Sequence, residues 1–304
     1  MACSPASAGR IEGVIPILQT PFGENGELDL DSLRNEVRYV CEAGAHGMAF
    51  PGFVSEWWKL SEEEIFTASR VIAETRTGPT KIVFNVTAQS TLLAVRQARR
   101  FLELGCDALM CLPPFVVPPG PEAAIEHVRQ VLACAPRPHI IQYAASLTGL
   151  KLNPQSLVEL RREFPHFSCL KIDFIPPGPT LTHLAQALAG EGFTFLIGYS
   201  GLQLADSIAR GAHGLMGGAG HVREDLDVFR ALTGGDPAAG YRAFRRLLPM
   251  LNFEMQTVDL AVAVHKRLLR DKGIFASDSV RAPGAGLDPY QVAELERHSR
   301  FLTD

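Results

Sequence analysis

The chain has 304 residues with 29 basic against 33 acidic side chains, a net charge of −4 that gives no electrostatic footprint for nucleic acid. At 46% hydrophobic and 20% charged residues it is neither disordered nor fibrous, and it is long enough for one large core or two modest ones. No apolar run reaches the roughly 18 to 20 residues of a membrane span, and the opening MACSPASAGR lacks a charged leader with an apolar stretch, so a cytoplasmic protein with no membrane partner is expected.

Apolar runs that read as buried strands recur at 14–20, 47–51, 81–86, 108–112, 139–144, 168–174, 193–198 and 214–218, alternating with stretches of helical periodicity. Helices are expected over 30–42, 61–74, 90–104, 122–133, 154–163, 180–189, 202–210 and 224–232. The second opens with Ser61 and has Glu64 three residues later, a capping-box pattern. Eight such units within residues 11–232 predict an α/β fold, a closed (β/α)8 TIM barrel, rather than an open doubly wound sheet. Residues 233–304 follow as a C-terminal helical extension, with helical pattern at 237–250, 257–272 and 289–302 and a Gly/Pro-rich stretch at 280–287.

Several chemistries are disfavoured by spacing. The six cysteines (Cys3, Cys41, Cys106, Cys111, Cys134, Cys169) contain no C-x-x-C pair and read as reduced thiols, mostly in the core. The nine histidines show no H-x-x-x-H or H-E-x-x-H pattern, so no metal is expected, and no cofactor is called for. A nucleotide P-loop and a G-x-S-x-G nucleophile elbow are both missing.

Active sites of such barrels sit at the C-terminal ends of the strands, and there the sixth run stands out. Alternation puts Cys169, Lys171 and Asp173 on one face and Leu170, Ile172 and Phe174 on the other. The bulky apolar face turns to the helices, so Lys171 points into the barrel near its mouth. A lysine there is either ion-paired or held neutral by desolvation, and a neutral lysine is the nucleophile that condenses with a ketone to give a Schiff base. A structural reading stands beside this: an ion pair with a neighbouring strand's carboxylate, or a side chain snorkelling to the rim. The other five lysines (Lys59, Lys81, Lys151, Lys266, Lys272) fall before a helix, at the wrong strand end, in a loop or in the tail. Tyr143, near the end of the fifth run, is a candidate proton carrier for the carbinolamine, or else an aromatic that closes the barrel top. Asp173 is a candidate acid or base, or the counter-ion of Lys171.

The turn from Gly52 to Ser55 after the second run suits a carboxylate held by amides and a hydroxyl, or is an ordinary loop, and the glycine-rich segments around Gly198-Tyr199-Ser200 and Gly217-Gly218 allow close approach of a ligand to backbone. Bulk at Phe53, Val54, Trp57 and Trp58 predicts an apolar mouth, open to a substrate with an alkyl or aromatic end.

These residues resemble the pyruvate-type class I aldolases and dehydratases that include dihydrodipicolinate synthase and N-acetylneuraminate lyase. The resemblance spans about residues 11–304. It rests on Gly13-Val14-Ile15-Pro16 through Thr20-Pro21-Phe22, Gly52 to Glu56, Pro113-Pro114-Phe115, Tyr143 through Thr148-Gly149, Leu170-Lys171 and Gly211-Ala212-His213-Gly214. It implies that Lys171 forms a Schiff base with a small-molecule 2-oxo acid, that Tyr143 relays protons, and that the turn around Ser55 binds the carboxylate. Thr20, Phe53, Val54, Glu56, Gly198, Ser200 and Gly217 complete the implied substrate-binding set, and a homotetramer or dimer is the implied assembly.

The sequence departs from the dihydrodipicolinate synthase pattern where two threonines become Phe53 and Val54, a second relay tyrosine becomes Val116, and an arginine becomes Leu147. It is more similar to 2-keto-3-deoxy-sugar-acid dehydratases of the L-2-keto-3-deoxyarabonate type, through Phe53 to Glu56, Lys171-Ile172-Asp173 and the tail from Leu248 to Glu254 and Lys272 to Ser277. That type carries an aspartate where this chain has Tyr143. The implied activity is dehydration of a short 2-keto-3-deoxy aldonic acid. The alternatives are aldol cleavage or a dihydrodipicolinate-synthase-like condensation through the same iminium, and a barrel that binds a 2-oxo acid without turning it over.

Overall fold

The structure, a computed structural model, describes residues 10–149 and 151–303; Cys3 lies outside them. Eight parallel strands, β1 (Gly13–Val14), β2 (Gly47–Phe50), β3 (Lys81–Val86), β4 (Ala108–Cys111), β5 (His139–Tyr143), β6 (Phe167–Ile172), β7 (Thr194–Ile197) and β8 (Gly214–Leu215), form one sheet in the order β1-β8-β7-β6-β5-β4-β3-β2. Ile17 bridges in parallel to both Ala49 and Gly218, which brings the chain beyond β1 against the second and eighth strands and closes the sheet into a barrel. This is the expected TIM barrel. Its first and last strands are shorter than the apolar runs that mark them. Pro16 has no amide to donate, and Gly217 and Gly218 have no side chains to pack, so the ladders give way to isolated bridges.

Strand alternation divides the apolar residues into two layers. Ile15, Val83, Met110, Ile140, Cys169 and Leu196 fill the barrel interior. Ile141, Leu170, Ile172 and Ile197 face outward into the layer shared with the helices. Local signals set the helix ends as expected: Ser61 caps Glu62–Thr75, its Oγ accepting from the Glu64 amide at 3.2 Å while Glu64 accepts from the Ser61 amide at 2.8 Å.

Three helices, Pro237–Glu254, Val258–Asp271 and Pro289–Thr303, make the extension. Phe244, Leu247 and Met250 share a continuous core with barrel residues such as Leu18, Phe50 and Leu215, so the extension is packed onto the barrel. Among the described residues no helix is long and apolar enough to cross a membrane. Cys41, Cys106, Cys111, Cys134 and Cys169 are free thiols, three of them buried.

Candidate active site

Lys171 sits one residue before the end of β6, on the interior face with Cys169, and is 3% exposed. Its Nζ donates to Asp173 Oδ2 at 2.5 Å, so the lysine's partner is the carboxylate of its own strand end rather than that of a neighbour. Asp173 also accepts from Gln142 Nε2. Its other oxygen lies over Gly198, where a β-carbon would come within 1.7 Å of Asp173 Oδ1. Gly198 therefore makes room for the carboxylate, and that is its part in the site.

Gln142, not Tyr143, is the β5 residue paired in register with Lys171. Tyr143 points the other way, into the layer between sheet and helices. Its ring packs edge-on against Phe174 at 5.3 Å and its hydroxyl accepts from the Leu152 amide at 3.3 Å. Burial raises its pKa above the ordinary phenol value. The proton-relay role expected for Tyr143 is thus corrected: the strand's alternation puts its side chain outside the barrel. Tyr143→Phe is expected to leave kcat/KM within about threefold and to cost about 1 kcal/mol of stability through the lost hydrogen bond. A hundredfold fall in kcat in steady-state assays would restore the phenol to the chemistry.

The turn after β2 is a 3-10 segment, Phe53–Ser55. Its first internal bond runs from the Ser55 amide to the Gly52 carbonyl, so the Phe53 and Val54 amides precede the helical hydrogen bonds and are left over from them. Ser55, expected to bind the carboxylate, is fully buried and spent on the fold: its Oγ donates to the Leu18 carbonyl at 2.5 Å and accepts from the Gly52 amide at 2.9 Å. Thr20 Oγ1 donates to the Ser55 carbonyl at 2.6 Å. Both hydroxyls brace the turn.

Glu56 is likewise corrected from a substrate-binding residue to a structural one. Fully buried in left-handed backbone (φ 56°), it accepts from Lys59 Nζ at 2.7 Å and from Lys266 Nζ. Lys266, which the sequence placed in the tail, is fully buried; burial lowers its pKa to about 8 against the opposing pull of Glu56.

The remaining polar wall comes from Tyr199 and Ser200, both left-handed (φ 49°), an unusual backbone for residues with side chains and a mark of many ligand sites. With Phe53, Val54, Gly217, Lys171 and Asp173 they line a cavity of about 290 Å³. Of the expected binding residues, Phe53, Val54, Ser200 and Gly217 reach it; Thr20, Ser55, Glu56 and Gly198 stand behind it. Ser146 and Tyr199 add hydroxyls that the sequence reading did not assign, and Met255, Val258 and Ala261 of the extension form part of the wall. Val116 is 68% exposed, and the side chain of Leu147 lies outside the described residues.

A second polar cluster lies behind the β8 loop. His221, Glu254 and His265 are brought within metal-ligand distance of one another, although no sequence spacing signals it. The Gly220 amide donates to His265 Nδ1 at 3.1 Å, and His265 Nε2 faces Glu254 at 3.5 Å without hydrogen-bond geometry. His221 bridges Asp225 (3.1 Å) and Glu254 (3.2 Å); burial opposes its charge, but the two carboxylates prevail and raise its pKa well above the usual histidine value.

The chain matches the Dihydrodipicolinate synthetase family over residues 10–299. It is 28% identical to an L-2-keto-3-deoxyarabonate dehydratase of Azospirillum brasilense, over 98% of this chain and 96% of the relative. Its fold superposes on a dihydrodipicolinate synthase from Rhodopseudomonas palustris with a TM-score of 0.88, at 23% identity, covering 96% of this chain and 98% of that one. It also superposes on a sialic acid aldolase from Ruminococcus gnavus with a TM-score of 0.87, at 20% identity, covering 96% and 97%. The chain belongs to the dihydrodipicolinate synthetase family of lysine Schiff-base lyases that act on 2-oxo acids.

Proposed function

We propose that Lys171 forms a Schiff base with a short 2-keto-3-deoxy aldonic acid of the L-2-keto-3-deoxyarabonate kind, and that Asp173 carries the protons for its dehydration. The observation behind this reading is the 2.5 Å contact of Lys171 Nζ with Asp173, the one carboxylate lining the cavity among the described residues. Likeness over nearly full length to a dehydratase of that name adds support.

The substrate's carboxylate is placed at the Phe53 and Val54 amides. Asp173 accepts the ammonium proton of Lys171, and the freed amine attacks C2. A nitrogen-to-oxygen proton shift gives the carbinolamine, and the proton held by Asp173 lets its hydroxyl leave as water, forming the iminium. The regenerated carboxylate removes a C3 proton to give the enamine. That electron pair then expels the C4 hydroxyl, which takes the same proton and departs as water. Hydrolysis of the conjugated iminium releases a 2-oxo-3-enoic acid and the lysine. Aldol cleavage starts from the same iminium but deprotonates the C4 hydroxyl, so its product is pyruvate with an aldehyde. The family resemblance carries with it a cytoplasmic homotetramer or dimer, an assembly that light scattering on the purified protein tests.

Borohydride reduction with pyruvate, read by intact mass, tests the nucleophile. An adduct of the reduced pyruvate imine is expected on the parent protein and none on Lys171→Ala. If the parent gains no mass while a control aldolase does, the Schiff-base reading fails and a non-catalytic binder takes its place.

A further inference from the structure

Charge and polarity are distributed unevenly around the Lys171 cavity. Lys171 is its only cation among the described residues, and it is committed to Asp173. A second carboxylate or a phosphate on the far end of a substrate would enter this site with no opposite charge to meet it, at a large desolvation cost. The polar side chains besides that pair are the hydroxyls of Ser146, Tyr199 and Ser200. The oxo-acid group and the departing C4 hydroxyl require donors of their own, and these three are the side chains able to supply them.

The rest of the wall is apolar. Met255, Val258 and Ala261 reach it from the extension, and Phe53, Val54 and Met216 from the barrel. Behind Phe53 the apolar surface continues, with Trp58 at 6.1 Å and Phe115 at 6.2 Å, and Trp57 edge-on to Phe115. Val258 is 41% exposed, so this wall reaches the mouth. A hydroxymethyl group lying here loses its water partners without replacement, whereas a methyl, alkyl or aryl group gains by the same burial.

We propose that the substrate is a monoanionic 4-hydroxy-2-oxo acid whose end beyond C4 is apolar, seated against Phe53, Met255 and Val258. This rests on the Lys171 Schiff-base chemistry proposed above and departs from the sugar acid named there, with an alkyl or aryl group in place of its terminal hydroxymethyl. The dehydration is unchanged: C3 loses a proton, C4 loses hydroxide, and the product is the 2-oxo-3-enoic acid plus water.

Two acids that differ by one oxygen provide the test. 4-Hydroxy-2-oxopentanoate ends in methyl where L-2-keto-3-deoxyarabonate ends in hydroxymethyl. An equimolar mixture of the two is incubated with the intact protein and reduced with borohydride, and the two adducts, 16 Da apart, are compared by mass. The expected result is an excess of the methyl adduct of about tenfold, within the range by which an apolar site rejects an added hydroxyl. In Val258→Asn the excess is expected to fall about threefold or more, tying the preference to this wall. Equal adducts, or an excess of the sugar acid, overturn the proposal while leaving Lys171 as the nucleophile. A pyruvate adduct with no adduct from either acid also overturns it, because the cavity then admits neither end. Failure of pyruvate itself to add is a different result and removes the Schiff-base reading beneath it.

Discussion

Replacement of Asp173 by asparagine is expected to lower kcat/KM by about 10²- to 10⁴-fold, the usual contribution of a positioned acid–base group. The side chain keeps its shape, so its seat over Gly198 survives and the change is chemical. Asparagine cannot take the proton that Lys171 Nζ now shares with Asp173 Oδ2 across 2.5 Å, nor remove one from C3. Imine formation and elimination should respond differently. Water can still take the ammonium proton, so a pyruvate adduct should be trapped on the variant, only more slowly. Elimination has no substitute base, since no other carboxylate or histidine lines the cavity among the described residues. Trapping without turnover is therefore the signature to look for in parallel mass and steady-state measurements. A variant that keeps turnover within threefold would show that another group carries the protons. A variant that loses adduct formation altogether would make Asp173 a counter-ion that positions the lysine.

The same strand shows how far the sequence could be read. In 168–174 the alternation of Lys171 and Asp173 with Leu170, Ile172 and Phe174 identified the inward face, and the structure has that arrangement. Applied to the fifth run, the same rule puts Ile141 and Tyr143 outward together and leaves Gln142 inside. The alternation of the fifth run thus already separates the Tyr143 phenol from the barrel interior. Other parts carried no local signal. Met255, Val258 and Ala261 reach the cavity because of how two extension helices pack across the barrel mouth, and helical periodicity marks only which residues are apolar. Ser55 and Thr20 looked like ligand groups because short hydroxyl residues in a turn serve equally to hold a carboxylate or to satisfy backbone atoms. The Leu18 carbonyl, more than thirty residues from Ser55, decides between these roles. Lys266 and Glu56 are a still longer-range case, 210 residues apart and joined in the interior.

That pair supports the other large effect. Glu56→Gln is expected to cost about 3 to 5 kcal/mol of stability at neutral pH, because it leaves two lysines without their shared carboxylate. The side chains of Lys59 and Lys266 are 4% and 0% exposed, so water cannot replace the lost charge. Phe22, with Lys266 Nζ 4.3 Å from its ring centre, and the Ser279 carbonyl at 2.9 Å remain as partial compensation. Glu36 is the other buried acid that interacts with Lys266, but burial raises its carboxyl well above the usual range and opposes its ionisation. The sign of the pH dependence follows from proton counts. In the parent, Lys266 releases its proton near pH 8 when folded and near the ordinary lysine value when unfolded, so stability contributed by this group rises with pH between those limits. Without Glu56 the folded lysine holds its proton more weakly still, and the rise begins at lower pH. The deficit measured by urea denaturation should therefore narrow as pH rises from the variant's lower lysine transition towards about 8, and stay constant above it, where Lys266 is neutral in both folded proteins. Adding Lys266→Met to Glu56→Gln should recover part of the loss, since an apolar side chain of similar length needs no counter-charge. A single variant that unfolds at the parent's urea midpoint would mean that the Glu56 bridge contributes nothing net. A deficit constant across pH would mean that the loss comes from packing rather than from the stranded charge.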